Sequence, residues 1–317
     1  MTSKPAAWGV AQCGDQLADY FHIIIVYPVR SGTTAILINN QSPSPFILHT
    51  SKREGFALPP VVTTGTVLSN ESEGPGCFRI RIEAPSITAA AIPGQFVNIR
   101  TSSEYLPLLR RPFSFCDIDR SSGAMSILLQ VVGPGTLHLS ELRAGAPLSL
   151  VGPLGNGFSF QPPSPISIFC AGGIGVAPFP ALAAALHGQT RLSMILGART
   201  ADLCLCRRQF AAYGIPVRVA TEDGSAGTRG FVTEPLREAM EMSEITQTTV
   251  YACGPQPMLA AVAELCRQYR CAAQLSVEAV MGCGVGACLS CVFRTPEGRY
   301  VRSCVEGPVF RPGEILF

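Results

Sequence analysis

The spacing of hydrophobic and polar positions changes character along this chain. From residue 61 to about 160, short apolar runs recur at close intervals, separated by Glu73-Gly74-Pro75-Gly76, Pro93-Gly94 and Ser122-Gly123. Residues 61–68, 77–84, 95–101, 112–117, 124–132 and 147–152 read as strands, with one short helix over 135–142. Many short strands with little helix predict a small antiparallel barrel. From 164 to 274 the period alternates. Strand-like 166–170 leads into helix-like 177–187, 192–197 into 202–213, 217–221 into 231–242, and 249–252 into 257–269. That alternation predicts a doubly wound parallel sheet.

The first 60 residues are less patterned. Apolar runs at 21–26 and 33–38 flank Arg30-Ser31-Gly32 and read as a hairpin, and Ser/Pro-rich 41–60 reads as a linker. An accessory hairpin and a partly ordered extension both fit. The expected organisation is an extension over 1–60, a barrel over 61–160, an α/β domain over 161–272 and a small tail domain over 273–317. The fold class is multi-domain, α/β plus β.

Composition narrows the function. The 317 residues are 47% hydrophobic and 15% charged, with a net charge of +2. No Lys/Arg-dense stripe marks a nucleic-acid footprint, and no apolar run reaches membrane-span length. The start shows no basic region followed by a long apolar core, so no secretory signal is expected. The thirteen cysteines are scattered except near the end, which is no disulfide framework and points to a reduced, cytoplasmic setting.

The tail concentrates the chemistry. Met281-Gly282-Cys283-Gly284-Val285-Gly286-Ala287-Cys288-Leu289-Ser290-Cys291, followed by Cys304, has the C-x4-C-x2-C…C spacing of a plant-type [2Fe–2S] loop. Cluster sulfurs take hydrogen bonds from backbone N–H groups, so the main chain must wrap closely. Gly282, Gly284 and Gly286 are expected to supply the positive φ angles and clearance. Residues 297–300 read as the turn returning the fourth cysteine. A zinc module stays open, although only Cys288 and Cys291 form the C-x2-C knuckle that zinc modules use in pairs. Cys204-Leu205-Cys206 reads as structural, having no further ligand nearby.

Two upstream regions suit dinucleotides. Arg110-Arg111-Pro112-Phe113-Ser114 offers a guanidinium for a diphosphate, an aromatic for a flat ring and a small hydroxyl for its edge. Gly133-Pro134-Gly135-Thr136 opens the short helix, where N–H groups receive phosphate. Alone, an Arg and a Phe on a strand are usually an exposed charge and a core aromatic, and each motif is weak singly; together they suggest a dinucleotide flavin. Next, Cys170-Ala171-Gly172-Gly173-Ile174-Gly175-Val176-Ala177-Pro178 runs from strand through glycine turn to helix, an anion cradle for a second dinucleotide. Arg199-Thr200 could grip a 2′-phosphate, although a lone Arg is more often solvated surface, and Arg207-Arg208 is similarly ambiguous.

Arg111-x-Phe113-Ser114, Gly133-x-Gly135-Thr136 and Gly152-Pro153-Leu154-Gly155 resemble the FAD-barrel motifs of the ferredoxin–NADP reductase superfamily. Phe113 stands where the superfamily usually has Tyr, which keeps stacking and loses a hydroxyl. Gly172 to Pro178 resembles its nicotinamide domain, and Cys253-Gly254-Pro255 its Cys-Gly-Pro turn. With the tail cysteines in this order, roughly residues 61–317 resemble the electron-transfer subunits of dihydroorotate dehydrogenase B. The resemblance implies FAD at Arg111, Pro112, Phe113, Ser114, Leu128, Leu129, Gln130, Gly135 and Thr136. It implies NAD at Gly172, Gly173, Gly175, Pro178, Gly254 and Pro255, with Cys253 beside the nicotinamide as catalytic candidate. Cys283, Cys288, Cys291 and Cys304 correspond to the [2Fe–2S] ligands.

The resemblance further implies an oxidoreductase subunit of pyrimidine biosynthesis. Its partner would be an FMN-containing dihydroorotate dehydrogenase catalytic subunit, in a heterotetramer of two of each, exchanging electrons with NAD(H). The chain offers no base for dihydroorotate, so orotate formation would need that partner. Two other readings stand beside this one: an NAD(P)H-dependent FAD/[2Fe–2S] reductase subunit linked to ferredoxin or sulfide, and a four-cysteine zinc interaction module. Some related reductase subunits carry Asp at the first ligand position, and Cys283 points away from them. Residues 1–60 depart from the usual subunit.

Overall fold

A computed structural model describes residues 60–102 and 107–317 in full, and backbone strands within 23–47. The chain divides into two compact units, Met1–Phe56 and Ala57–Phe317. In the first, Ile23–Val29 (β1) and Gly32–Ile38 (β2) pair antiparallel, as the hairpin reading expected, and Phe46–Ile47 (β3) adds to β2. The turn residues Arg30 and Ser31, and most of the expected linker, lie outside the described residues.

The second unit begins with a closed six-stranded barrel. Its strands are Val61–Gly74 (β4), Cys77–Glu83 (β5), Phe96–Ile99 (β6), Arg111–Asp119 (β7), Ala124–Gln130 (β8) and Pro147–Leu154 (β9), in the order β4-β5-β8-β7-β6-β9. Period-two alternation builds it: Ile80 and Ile82 point inward from β5 while Arg79 and Arg81 point out, and Met125, Ile127 and Leu129 fill the interior from β8. Strand β4 runs six residues beyond the expected 61–68, because Ser69 to Ser72 and Gly74 still pair with β5 across two register shifts. The short helix is Pro134–Ser140 (α2), following a one-turn helix Pro85–Thr88 (α1).

The other face of β7 and β8 is apolar as well. Cys116 and Leu128 share a buried cluster with Phe169, Phe179 and Tyr251 of the following α/β portion. That portion is a seven-stranded sheet ordered β13-β12-β11-β10-β14-β15-β18. Its parallel strands are Ile166–Gly172 (β10), Arg191–Ala198 (β11), Val217–Thr221 (β12), Thr228–Arg229 (β13), Thr248–Cys253 (β14) and Ala272–Ser276 (β15). Helices cover both faces: Phe179–Leu186 (α3) and Arg207–Ala212 (α4) on one, Thr233–Glu241 (α5) and Gln256–Tyr269 (α6) on the other. The single helix expected over 202–213 is instead a 3-10 turn, Ala201–Leu203, and α4. Cys206 takes a left-handed φ of 61° between them, so that Cys204, Leu205 and Cys206 are all buried.

A buried ionic network joins the barrel to this turn. Arg79 Nε donates to Glu73 Oε1 at 2.5 Å, and its two terminal nitrogens reach Cys116 Sγ at 3.2 Å and Cys206 Sγ at 3.4 Å. Burial opposes the charge on Arg79, but both sulfurs and Glu73 keep it protonated.

The tail folds over the barrel and the sheet edge. Val292–Arg294 (β16) and Tyr300–Arg302 (β17) form the expected hairpin, closed at Gly298 with φ 81°. Val309–Phe310 (β18) then pairs antiparallel with β15. Among the described residues, no helix is long and apolar enough to cross a membrane.

Candidate functional site

A cleft of about 560 Å³ opens at the carboxyl ends of β10, β11 and β14. The strand order reverses between β10 and β14, the switch point where doubly wound sheets bind ligands. Gly172, Gly173, Gly254 and Pro255 line it, so four of the six expected nicotinamide-side residues come together there. Their glycines are sterically required. A Cβ on Gly172 would lie 2.5 Å from Met258 Sδ, and Gly173 holds φ 54°. Gly175 and Pro178 are buried behind the cleft. The turn is a 3-10 segment, Gly173–Val176, inserted ahead of α3, so the cradle is made by the turn itself and the helix starts further on.

Cys253 ends β14, but its thiol is 3% exposed within the core cluster. Burial, reinforced by Glu278, pushes that thiol well above its usual range, so it stays protonated. The backbone that follows it, at Gly254 and Pro255, is what the cleft presents. Three further cleft residues escaped the sequence reading: Glu222, Phe231 and Glu278. Phe231 is 69% exposed on the cleft wall, where its ring is available to a flat ligand. Glu278 stands exposed on the cleft wall. Arg199, read as ambiguous, is also on the cleft wall.

On the barrel, β7 pairs with β6 in a register that sets Arg111 opposite Ile99, Pro112 opposite Asn98, Phe113 opposite Val97 and Ser114 opposite Phe96. Arg110 is consumed structurally, donating to Ser149 O at 2.7 Å and Ser149 Oγ at 2.8 Å. Arg111 bonds only backbone carbonyls, Leu109 O at 2.6 Å and Arg110 O at 3.3 Å, and has no carboxylate partner among the described residues. An uncompensated guanidinium fits a diphosphate. Leu129 points into the barrel and Leu128 into the interface cluster, whereas Gln130 reaches the dinucleotide cleft. A Cβ on Gly135 would lie 2.9 Å from Thr101 Oγ1, a buried hydroxyl without a partner among the described residues. Thr136 braces the turn, its hydroxyl accepting from the N–H of Val132 at 2.9 Å and of Gly133 at 3.2 Å. The barrel thus fits FAD through Arg111, the half-buried Phe113 and the open turn at 133–135.

The tail thiols gather in two pairs. Cys283 N–H donates to Cys288 Sγ at 3.3 Å, while Cys304 and Cys291 are hydrogen-bonded neighbours. Among the described residues, no group of three or more His, Cys, Asp or Glu converges on one ion. Four thiols in two pairs fit the two irons of a [2Fe–2S] group. The loop is wrapped for sulfur: N–H groups of Val285, Ala287 and Cys288 point at Cys283 Sγ at 3.4, 3.3 and 3.4 Å. Gly284 and Gly286 carry the expected positive φ, 72° and 84°; Gly282 does not, and Leu289 takes the third such position at 59°. Gly282 is needed for space instead, since a Cβ there would lie 3.1 Å from Cys288 Sγ. Hydrogen bonds from Ser290 lower the exposed Cys288 thiol to about 6, and burial pushes Cys304 up to about 12. Arg302 steadies the loop from below, donating to Gly286 O at 3.2 Å and to Glu306 Oε1 at 2.5 Å.

The loop rests on the barrel. Cys291, Cys304 and Met281 pack with Phe96 of β6 and Leu154 of β9. Asn156 fastens it by donating to Val305 O at 2.9 Å and Glu306 O at 3.0 Å.

Comparison with known proteins agrees with this geometry. Residues 278–316 match the iron–sulfur cluster binding domain of dihydroorotate dehydrogenase B, and residues 169–264 match an oxidoreductase NAD-binding domain. A structure of an NADH-dependent reduced ferredoxin-NADP oxidoreductase superposes with a TM-score of 0.70 at 27% identity, covering 83% of this chain and 91% of that one. A ferredoxin NADP+ reductase from Neisseria gonorrhoeae shares the fold at 15% identity, TM-score 0.57, over 66% of this chain and 91% of its own. The dihydroorotate dehydrogenase B (NAD(+)) electron transfer subunit of Geobacillus sp. strain WCH70 is 37% identical over 79% of this chain and 97% of its own length. That of Bacillus caldolyticus is 38% identical over the same shares. On this likeness, carried through barrel, sheet and cysteine loop alike, the chain belongs to the family of dihydroorotate dehydrogenase B electron transfer subunits.

Proposed function

We propose that this chain carries electrons from a partner subunit that oxidises dihydroorotate on FMN to NAD+, through a [2Fe–2S] group at the tail loop and FAD on the barrel. The observation that carries the reading is the seating of Cys291 and Cys304 on Phe96 and Leu154, one strand from residues 111–114. When bound, iron–sulfur supplies single-electron steps and nicotinamide hydride steps, with flavin able to exchange one kind for the other.

The chain's own residues position these groups. Arg111 holds the flavin diphosphate and Phe113 covers the ring, while Pro112 and Ser114 border it. The backbone of Leu128, Leu129 and Gln130 and the turn at Gly135 and Thr136 complete that site. Gly172, Gly173, Gly254 and Pro255 receive the nicotinamide dinucleotide, backed by Gly175 and Pro178. Cys253, buried and protonated, shapes the wall and holds no proton for exchange. Cys283 and Cys288 form one half of the metal site, Cys291 and Cys304 the other. Domain limits of 61–160, 161–272 and 273–317 follow from these roles. NAD, named for the relatives, is supported over NADP by Glu222, whose carboxylate on the cleft wall disfavours an added phosphate.

The partner is an FMN-containing catalytic subunit in a heterotetramer of two of each. The twelve described cysteines are free thiols, which supports a reducing, cytoplasmic compartment. The test is anaerobic purification with and without such a catalytic subunit. The chain alone should hold FAD and be reduced by NADH yet leave dihydroorotate untouched, and the complex should form orotate with NAD+. Orotate formation by the isolated chain would overturn the division of labour. The likeness to the NADH-dependent ferredoxin-linked enzyme favours a second reading, a reductase subunit for another oxidoreductase. The identity of the copurifying subunit separates the two.

A further inference from the structure

The barrel and the cysteine loop meet through one buried amide. Asn98 lies on β6, is 0% exposed, and donates from Nδ2 to the carbonyl oxygen of Cys283 at 3.3 Å. Its backbone stands opposite Pro112 in the ladder and accepts from Arg110 at 3.5 Å. The same strand therefore holds the flavin segment on one side and the first cluster cysteine on the other. The fit is tight, since a Cβ on Gly284 would lie 2.6 Å from Asn98 Nδ2. Meanwhile Asn98 Oδ1 is buried without a hydrogen-bond partner among the described residues.

A buried amide with half its hydrogen-bonding capacity unused is a poor stabilising element, because the unpaired acceptor costs about what one neutral hydrogen bond contributes. Its place in the core is better explained by what it fixes. We propose that Asn98 is a positioning residue that sets the separation between the flavin segment and the [2Fe–2S] loop by tethering the Cys283 carbonyl. The tether keeps the loop in the conformation whose Val285, Ala287 and Cys288 N–H groups face Cys283 Sγ. Hydrogen bonds to cluster sulfurs raise a cluster's reduction potential, so loosening them lowers it. This inference rests on the cofactor assignment proposed above and goes beyond it by naming the residue that couples the two sites.

Asn98→Leu removes the donor and the unpaired acceptor while keeping the branched outline of the side chain, its two methyl groups being bulkier than the amide they replace. Gly284→Ala crowds the same contact from the loop side, at a φ of 72° that also strains alanine, and substitutes no barrel residue, so it serves if Asn98→Leu fails to fold. Each purified holo-variant is compared with the unsubstituted protein by FAD and iron content, hydrogen exchange over 282–288, cluster redox titration followed by electron paramagnetic resonance, and stopped-flow reduction. The expected result is unchanged FAD content, flavin reduction by NADH within about twofold, faster exchange over 282–288, a lower cluster potential, and flavin-to-cluster transfer slowed roughly tenfold or more. Unchanged potential, exchange and transfer rate in a folded variant would overturn the proposal while leaving the cofactor assignment intact. Absence of iron from the unsubstituted protein would overturn that assignment, and the proposal with it.

Discussion

Gly175 sits against the carbonyl of Cys253 so closely that a β-carbon would lie 2.5 Å from the oxygen. The two residues pack together behind the switch-point cleft, one on the glycine turn after β10 and the other at the end of β14. This close packing holds Gly172 and Gly173 against Gly254 and Pro255, whose backbones line the cleft. Gly175→Ala must force them apart. Expected outcomes are a loss of about 1–3 kcal/mol in unfolding free energy and a raised KM for NADH. Denaturant unfolding and steady-state flavin reduction measure the two.

Phe231 offers its ring to the cleft rim at 69% exposure. A flat ligand ring lying on it would gain roughly 1 kcal/mol beyond simple burial. Phe231→Ala should therefore raise the KM for NADH by about fivefold to tenfold with kcat nearly unchanged, the signature of lost uniform binding. Stability should not move, because the ring touches little protein. A fall in kcat with constant KM would remove Phe231 from the binding surface.

Arg79 and Glu73 form a mostly buried ion pair at 2.5 Å, their side chains 14% and 19% exposed. Arg79→Met leaves Glu73 uncompensated and strips two sulfurs of their donor. The expected cost is roughly 2–3 kcal/mol, somewhat below the ~3–5 for breaking a wholly buried pair. Double substitution with Glu73→Gln should recover part of it. Thermal unfolding of the single and double variants tests the coupling.

Ser121 and Ser122 hydroxyls hold the Asp119 carboxyl well below the usual carboxylate range, helped by their backbone N–H groups. A carboxyl lowered in the folded state contributes stability above its unfolded pKa of about 4 and loses it as pH falls toward the folded value. The thermal midpoint should decline below about pH 4, and Asp119→Asn should flatten that part of the curve. A parallel curve for the variant would show that other carboxyls govern acid unfolding.

Much of this protein was legible before any coordinates. Alternation such as Ile80 and Ile82 against Arg79 and Arg81 reports the barrel, Gly173 reports a left-handed turn at φ 54°, and Gly175 reports a close approach to the Cys253 carbonyl. What was missed has physical reasons. Two-residue strands such as Thr228–Arg229 and Val309–Phe310 are too short to show a period. The left-handed Cys206 breaks an otherwise helical run because tertiary burial of its neighbours outweighs local propensity. Asn98, Arg302 and Phe231 carry no local motif. Their roles arise from partners far away in sequence, as when Asn98 meets Cys283 across 185 positions.

The central claim is that two thiol pairs, Cys283 with Cys288 and Cys291 with Cys304, hold a two-iron group within reach of a barrel-bound flavin. Iron, acid-labile sulfide and flavin counted on the same anaerobically purified sample test it most directly. The account predicts about two irons and about two sulfides for each FAD, with absorption beyond the flavin bands that bleaches on reduction. Zinc in place of iron, or a tail without any metal in a flavin-loaded chain, would contradict it.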